Sequence, residues 1–164
     1  MNELSDRTGT YVLVLELEGA CKISVGALGV VSFNEGYYAY VGSARGPGGL
    51  GARLRRHLSR PKKRLWHIDF LLHRARPRSA VVFLSGMRED SLAALLRSFL
   101  CSVEGFGASD DLTSGSHLFY LGDSPSEAVR QIVGFASSTP GCRIAMFPPE
   151  NLARSPPVEH SQQH

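Results

Sequence analysis

Apolar and polar positions along this 164-residue chain follow two periods, and the switch from one to the other marks out its elements. Gly9 to Glu18 (GTYVLVLELE) carries β-branched and aromatic residues in partial alternation and predicts a strand, with Glu16 and Glu18 on its wetter face. Lys22 to Val25 and Val30 to Phe33, separated by a turn containing Gly26 and Gly29, predict a hairpin. Asn34-Glu35-Gly36 then turns the chain into a strand over Tyr37 to Val41. From Leu50 the period becomes helical. At about 100° per residue Leu50, Leu54 and Leu58 form one stripe, Arg53, Arg56 and Arg60 a second beside it, and His57 falls between them. Arg60-Pro61-Lys62-Lys63 ends this helix, because proline lacks an amide hydrogen and restricts its predecessor.

Further along, a short helix is predicted from about Trp66 to Arg74, a buried strand over Ser79 to Leu84, and a leucine-spaced helical pattern over Glu89 to Val103. A polar loop, Gly105 to Ser116, leads to a short apolar run, His117 to Leu121, and to a helix from about Ser126 to Phe135. From Ser137 the composition shifts to Ser, Thr, Pro and Gln, which bury too little apolar area to offset the entropy of ordering them. The expectation is one α+β domain over residues 1–136, a small mixed or antiparallel sheet flanked by helices, and a flexible tail over residues 137–164. Within that tail Arg143 to Phe147 (RIAMF) has the character of an edge strand.

Composition narrows this picture. With 43% hydrophobic residues the chain supports one ordinary core. It opens without an apolar run of signal-peptide length, and no stretch reaches the roughly 20 apolar residues that span a bilayer, so a cytoplasmic protein is expected. Cys21, Cys101 and Cys142 lack paired spacing and read as buried thiols rather than as a disulfide framework or zinc site. The net charge is only +3, but eleven of the eighteen Lys and Arg residues fall between Arg45 and Arg78, with Asp69 as the only acid there. That segment carries net +10 while the remainder is acidic, which points to a polyanion, with membrane lipid the less favoured choice.

The chemistry gathers in the same region. Gly42 to Gly51 (GSARGPGGLG) holds six Gly or Pro residues ahead of the arginine-bearing helix, an arrangement suited to presenting guanidinium donors to phosphate oxygens. The loop lacks the Lys and Ser/Thr of a P-loop, which weakens nucleotide binding by that route. Arginine-rich amphipathic helices also serve as plain solvated faces. Arg45, Arg56, Arg60, Lys62, Lys63, Arg64 and His67 are the candidate nucleic-acid contacts. Trp66-His67-Ile68-Asp69 either packs against the basic helix or lines a groove, and His117 by itself reads as a capped core histidine. Glu89 heads the stripe of Leu92, Leu96 and Phe99; it reads as a first-turn acid favoured by the helix dipole, or as a carboxylate holding a hard divalent ion. Tyr11, Tyr37, Tyr38 and Tyr40 lie on strands expected to be neighbours, with Tyr38 and Tyr40 on one face. A phenol of pKa about 10 acts as a base near neutral pH only where its anion is stabilised.

Gly9-Thr10-Tyr11 and Tyr40-Val41-Gly42, followed in order by Arg53, His57 and Glu89, resemble the motifs of the GIY-YIG nucleases. The chain is most similar to a small branch of that family catalogued as a domain of unknown function, whose pattern appears here as Gly36 to Ala44, Gly49 to Leu58, Lys62 to Asp69, Glu89, Gly105 to Asp110 and Ser116 to Tyr120. The resemblance covers roughly residues 9–121. It implies that Tyr11 activates or positions water, Tyr40 supports the attacked phosphate, Arg53 stabilises charge on the phosphoryl group, His57 assists the phenols or contacts phosphate, and Glu89 holds one divalent ion, Mg²⁺ or Mn²⁺. Through the Ser116 to Tyr120 match it also implies a His117 that approaches the site, the alternative to a capped core histidine. The implied activity is endonucleolytic hydrolysis of DNA, with RNA also open as a partner, in repair, recombination or defence. A non-catalytic nucleic-acid-binding module on the same fold is the alternative. Thr10 replaces the isoleucine of most members, and a β-ribbon is inserted between the two tyrosine motifs, an insertion shared by the branch.

Overall fold

A computed structural model describes residues 4–59, 63–107 and 115–147 of the chain. At its centre lies β1 (Gly9–Leu17), antiparallel to β4 (Gly36–Ala44) on one side and to β5 (Arg76–Ser85) on the other. β7 (Leu118–Gly122) and the short β6 (Cys101–Ser102) continue beyond β4, and β8 (Arg143–Phe147) continues beyond β5. The resulting six-stranded sheet has the order β6-β7-β4-β1-β5-β8, with every pairing antiparallel. Between β1 and β4, β2 (Cys21–Ser24) and β3 (Val30–Phe33) form a separate two-stranded ribbon around a 3-10 turn at Gly26–Leu28. Four helices complete the described residues: α1 (Gly49–Leu58), α2 (His67–Leu71), α3 (Glu89–Arg97) and α4 (Ser126–Ser138). No helix among the described residues is long and apolar enough to cross a membrane.

Both faces of β1 are covered, which explains why it reads as a nearly continuous apolar run. On one face Tyr11, Leu13 and Leu15 pack with Leu50 and Leu54 of α1, Ile68 and Leu71 of α2, and Phe33 of the ribbon. On the other, Val12 packs with Val41, Val81, Leu92 and Leu96 of α3, and Ile132 of α4. Each leucine taken fully from water contributes about 1.5–3 kcal/mol, so the two leucine stripes fix α1 and α3 onto opposite faces of the sheet. α1 begins on a left-handed turn: Gly49 has φ 59°, and a β-carbon there would stand 2.4 Å from the Arg7 carbonyl oxygen. Both the backbone angle and the close approach require glycine.

Several boundaries differ from the periodicity: α2 ends at Leu71 instead of reaching Arg74, β4 runs on to Ala44, and β5 begins at Arg76. The helix expected over Glu89 to Val103 stops at Arg97, because Ser98 Oγ donates to the Leu95 carbonyl and the chain turns to feed β6. Phe99 and Leu100 keep the apolar spacing by packing on the same core from this turn. α4 continues past residue 136 to Ser138, with the hydroxyls of Ser137, Ser138 and Thr139 donating to carbonyls four residues back. The Ser/Thr composition expected of a tail thus closes a helix. The chain then returns to the sheet as β8, whose pairs run from Ala80↔Phe147 to Ser85↔Arg143, so the folded part reaches Phe147. The rest of the expected tail lies outside the described residues. The cysteines also differ from the expectation of buried thiols: Cys101 is exposed, and Cys21 and Cys142 are half-buried.

Candidate functional site

The end of the sheet where β1 begins and β4 finishes collects the polar side chains. Tyr11 pairs with Gly42 across the β1–β4 ladder, and its hydroxyl lies 2.6 Å from His57 Nε2. The α1 leucine stripe drives this contact: His57 lies beside Leu54, on the flank of α1 turned toward the sheet, and both are buried. The Tyr40 ring stands edge-on to His57, with centroids 6.0 Å apart. Burial pushes both Tyr11 and Tyr40 well above the ordinary phenol range, and for Tyr11 it outweighs the opposing charges of Arg53 and Arg56. A standing phenolate is therefore disfavoured at neutral pH.

Glu89 opens α3 on the other side of the β4 end. Its Oε2 accepts from Ser43 Oγ at 2.7 Å, and its Oε1 lies 3.0 Å from His117 Nδ1. Burial raises this carboxyl, but hydrogen bonds from His117 and Ser43, together with the charges of His117 and Arg53, hold it below the ordinary carboxylate range. A half-exposed side chain kept ionised in this way suits a hard divalent ion that takes one protein carboxylate and fills its other positions with water. Among the described residues no group of three or more His, Cys, Asp or Glu side chains gathers into a metal cage. Glu89 and Arg53 both act electrostatically on Tyr11 and Tyr40, which ties the two sides of the strand into one site.

The guanidinium row expected on α1 is divided. Arg56 makes a bidentate pair with Asp69, both contacts at 2.8 Å, and also donates to the Lys63 carbonyl. Asp69 has no exposed side-chain surface and additionally accepts from the amides of Leu65 and Trp66. Burial raises the Asp69 carboxyl, but the Arg56 and amide hydrogen bonds outweigh this and lower it overall. Trp66 lies beneath both arginines, 3.8 Å from the Arg56 guanidinium and 4.4 Å from that of Arg53. The Trp66 to Asp69 segment is thus packing that positions the helix arginines, and Arg56 is anchored by Asp69 while still lining the cavity beside Arg53. Arg53 and Arg56 line a cavity of about 180 Å³ together with Ala44, Gly46, Pro47 and Gly49 of the glycine-rich turn.

The remaining candidates scatter. Arg45, Lys63 and Arg64 are exposed. His67 is half-buried and its Nδ1 accepts from the Gly107 amide, while burial lowers its pKa. Arg60 and Lys62 lie outside the described residues, as do Ser109 and Asp110 of the polar loop. His117 satisfies both of its sequence readings: it is 4% exposed beside Val41 and contacts Glu89.

Three contributors escaped the sequence. Ser43 lies inside the quoted strand motif but carries no chemistry by type. Asp69 stands out in the sequence as the lone acid of a basic stretch and as part of the Trp66 to Asp69 segment, but nothing there joins it to Arg56. Thr10, which stands where most members carry isoleucine, is fully buried and donates to the Met87 carbonyl at 2.9 Å, holding the turn that presents Glu89.

An antiparallel sheet with helices on both faces, and phenols, an imidazole, a carboxylate and arginines drawn to one end, defines an α+β protein with a polar site at that end of the sheet. Residues 10–137 match the family described as domain of unknown function DUF123, and the chain belongs to that family. No curated protein and no solved structure matches it.

Proposed function

We propose that this protein is a divalent-metal-dependent endonuclease of GIY-YIG type that hydrolyses DNA phosphodiester bonds. The observation that carries the reading is the meeting of Tyr11, Tyr40, Arg53, His57 and an ionised Glu89 around the end of β4. Their order in the chain and their types are those of the resemblance, and their convergence supports it.

The residues divide the work of an in-line displacement. Arg53, facing the cavity at the glycine-rich turn, offers paired N–H donors to the phosphoryl oxygens and offsets the charge that builds up on them. The buried Tyr11 acts through a relay instead of a preformed phenolate. Water attacks phosphorus as the bond from phosphorus to the leaving strand oxygen opposite it breaks, and the water gives a proton to Tyr11 Oη while Tyr11 passes its own to His57 Nε2, 2.6 Å away. Tyr40 flanks the imidazole and restricts the approach of the phosphate. Glu89 would hold the divalent ion, which when bound supplies Lewis-acid polarisation of the phosphoryl oxygen and stabilises the leaving oxygen.

One observation favours the second reading, a non-catalytic nucleic-acid-binding module: both Glu89 oxygens are engaged, by Ser43 and by His117. Incubating the protein and Glu89→Ala with labelled duplex, single-stranded and branched DNA, with Mg²⁺, Mn²⁺ or chelator, separates the two. Metal-dependent cleavage that disappears in Glu89→Ala supports the nuclease. Binding without cleavage under every condition transfers the conclusion to the binding module.

A further inference from the structure

We propose that a second cavity, on the opposite side of the Arg45 turn from Arg53, is a phosphate subsite that holds the flanking backbone of the bound DNA strand between Arg45 and Arg88. This rests on the nucleic-acid reading of the Glu89 site and names the surface over which the strand continues. The cavity measures about 280 Å³ and is walled by Thr8, Thr10, Arg45, Phe83, Gly86 and Arg88. Ala44 and Gly46 line the Arg53 cavity, whereas Arg45 between them lines this one, so the two hollows adjoin across a single turn. Arg88 of this cavity immediately precedes Glu89 in the chain.

The chemistry of the walls selects an anion. No acidic residue lines either cavity among the described residues. The hydroxyls of Thr10 and Ser85 are engaged within the fold, donating to the Met87 and Gly141 carbonyls, which leaves guanidinium groups as the principal donors. Arg45 is exposed and has no ion pair among the described residues. Arg88 is 76% exposed and among the described residues pairs with Asp90, at 3.3 Å. A surface pair of that kind contributes little and yields readily to a phosphate, which two guanidiniums match in charge and in paired donors. Such contacts fix the register of a strand without reading its bases.

The test is fluorescence anisotropy of labelled single-stranded DNA with the full chain in chelator, so that cleavage plays no part, across about 50 to 200 mM salt. Wild type is compared with Arg45→Gln/Arg88→Gln and with Arg74→Gln/Arg76→Gln, which removes the same charge. Arg74 and Arg76 are exposed and lie near the opposite end of β5, roughly 30 Å away at the usual rise per residue. The subsite predicts that Arg45→Gln/Arg88→Gln alone lowers the log-log salt slope by about 1.4, near 0.7 per single-strand phosphate contact. Equal losses in both double variants, or no loss in either, overturn the subsite while leaving DNA binding in place. Absence of DNA binding by wild type overturns the subsite and the nucleic-acid reading together. Thermal melts of the variants matching wild type establish that these surface changes leave the fold intact.

Discussion

Gly42 faces Tyr11 directly across the β1–β4 ladder, and a β-carbon at Gly42 would stand 2.3 Å from the Tyr11 hydroxyl. The glycine is therefore what lets the phenol lie against the β4 backbone and reach His57. Gly42→Ala forces the ring or the strand to move. It is expected to destabilise the fold by about 1–3 kcal/mol, the usual cost of overpacking a filled core. Chemical denaturation measures this directly. A Gly42→Ala protein as stable as wild type would mean that the Tyr11 ring repacks without strain and that glycine is not needed to seat it.

The Tyr11–His57 contact predicts separate effects on catalysis and stability. Tyr11→Phe keeps the ring and removes the hydroxyl, so on the proposed nuclease reading cleavage should fall by roughly 10²–10⁴-fold, the range for loss of a general acid-base group. The stability cost is about 1–3 kcal/mol, from leaving the buried Nε2 without its phenol. Since Tyr11 and Tyr40 are raised in the folded state, their contribution is fully present below the unfolded phenol value of about 10 and is lost as pH climbs beyond it. Stability should accordingly decline from about pH 10 upward, and less steeply in Tyr11→Phe. Denaturation midpoints across alkaline pH would show this; identical slopes for both proteins would contradict it.

Ser43 donates to Glu89 and helps to keep it ionised. Ser43→Ala removes a hydrogen bond that favours the charged form, so the Glu89 carboxyl rises toward its ordinary value. On the proposed nuclease reading, the acidic limb of the pH–rate profile should then move to higher pH while the rate on the plateau changes less. An acidic limb that stays in place would assign that limb to another group.

The sheet, the ribbon and the arginine helix were legible because each depends on local periodicity and turn chemistry. The Leu50-Leu54-Leu58 stripe and the alternation of Tyr38 and Tyr40 dictate which side faces the core, whatever packs there. What stayed hidden depends on contacts across the chain. Thr10 and Met87 are 77 positions apart, and Ser43 and Glu89 are 46 apart, so no spacing rule joins them. The reach of α4 was misjudged for a different reason. Serine and threonine are weak helix formers by composition, yet at a C-terminus their hydroxyls satisfy the carbonyls that the helix leaves open. The Arg53-Arg56 row was correctly located on one helix face, but the lone acid that divides it lies on the next helix.

That acid supplies the most demanding prediction. Asp69 is fully buried and holds Arg56 through two 2.8 Å contacts, while Arg56 and Arg53 both lie over Trp66. Asp69→Asn keeps the shape but removes the charge and places an amide group where two acceptor oxygens are needed. Breaking a fully buried pair costs roughly 3–5 kcal/mol. The Arg56 side chain is 24% exposed, so solvent screens part of the loss and about 2–3 kcal/mol is expected. The pH dependence follows from the sign of the shift. A carboxyl lowered in the folded state contributes stability above its unfolded value of about 3.9 and loses it as pH falls through the lower folded value. Wild type should therefore lose stability below about pH 4, and Asp69→Asn should show a smaller decline over the same interval. Parallel acid titrations of the two proteins would mean that Asp69 titrates normally and that other carboxylates set the acid limit. Because Trp66 also carries Arg53, Asp69→Asn should raise the concentration of DNA needed for half-maximal binding even at pH 7, where the fold is intact. Arg56→Lys tests that link independently. It keeps a charge for Asp69 but gives up the planar stack on Trp66, so if Arg53 is positioned through the ring, DNA binding should weaken while the acid stability of Asp69 is largely retained.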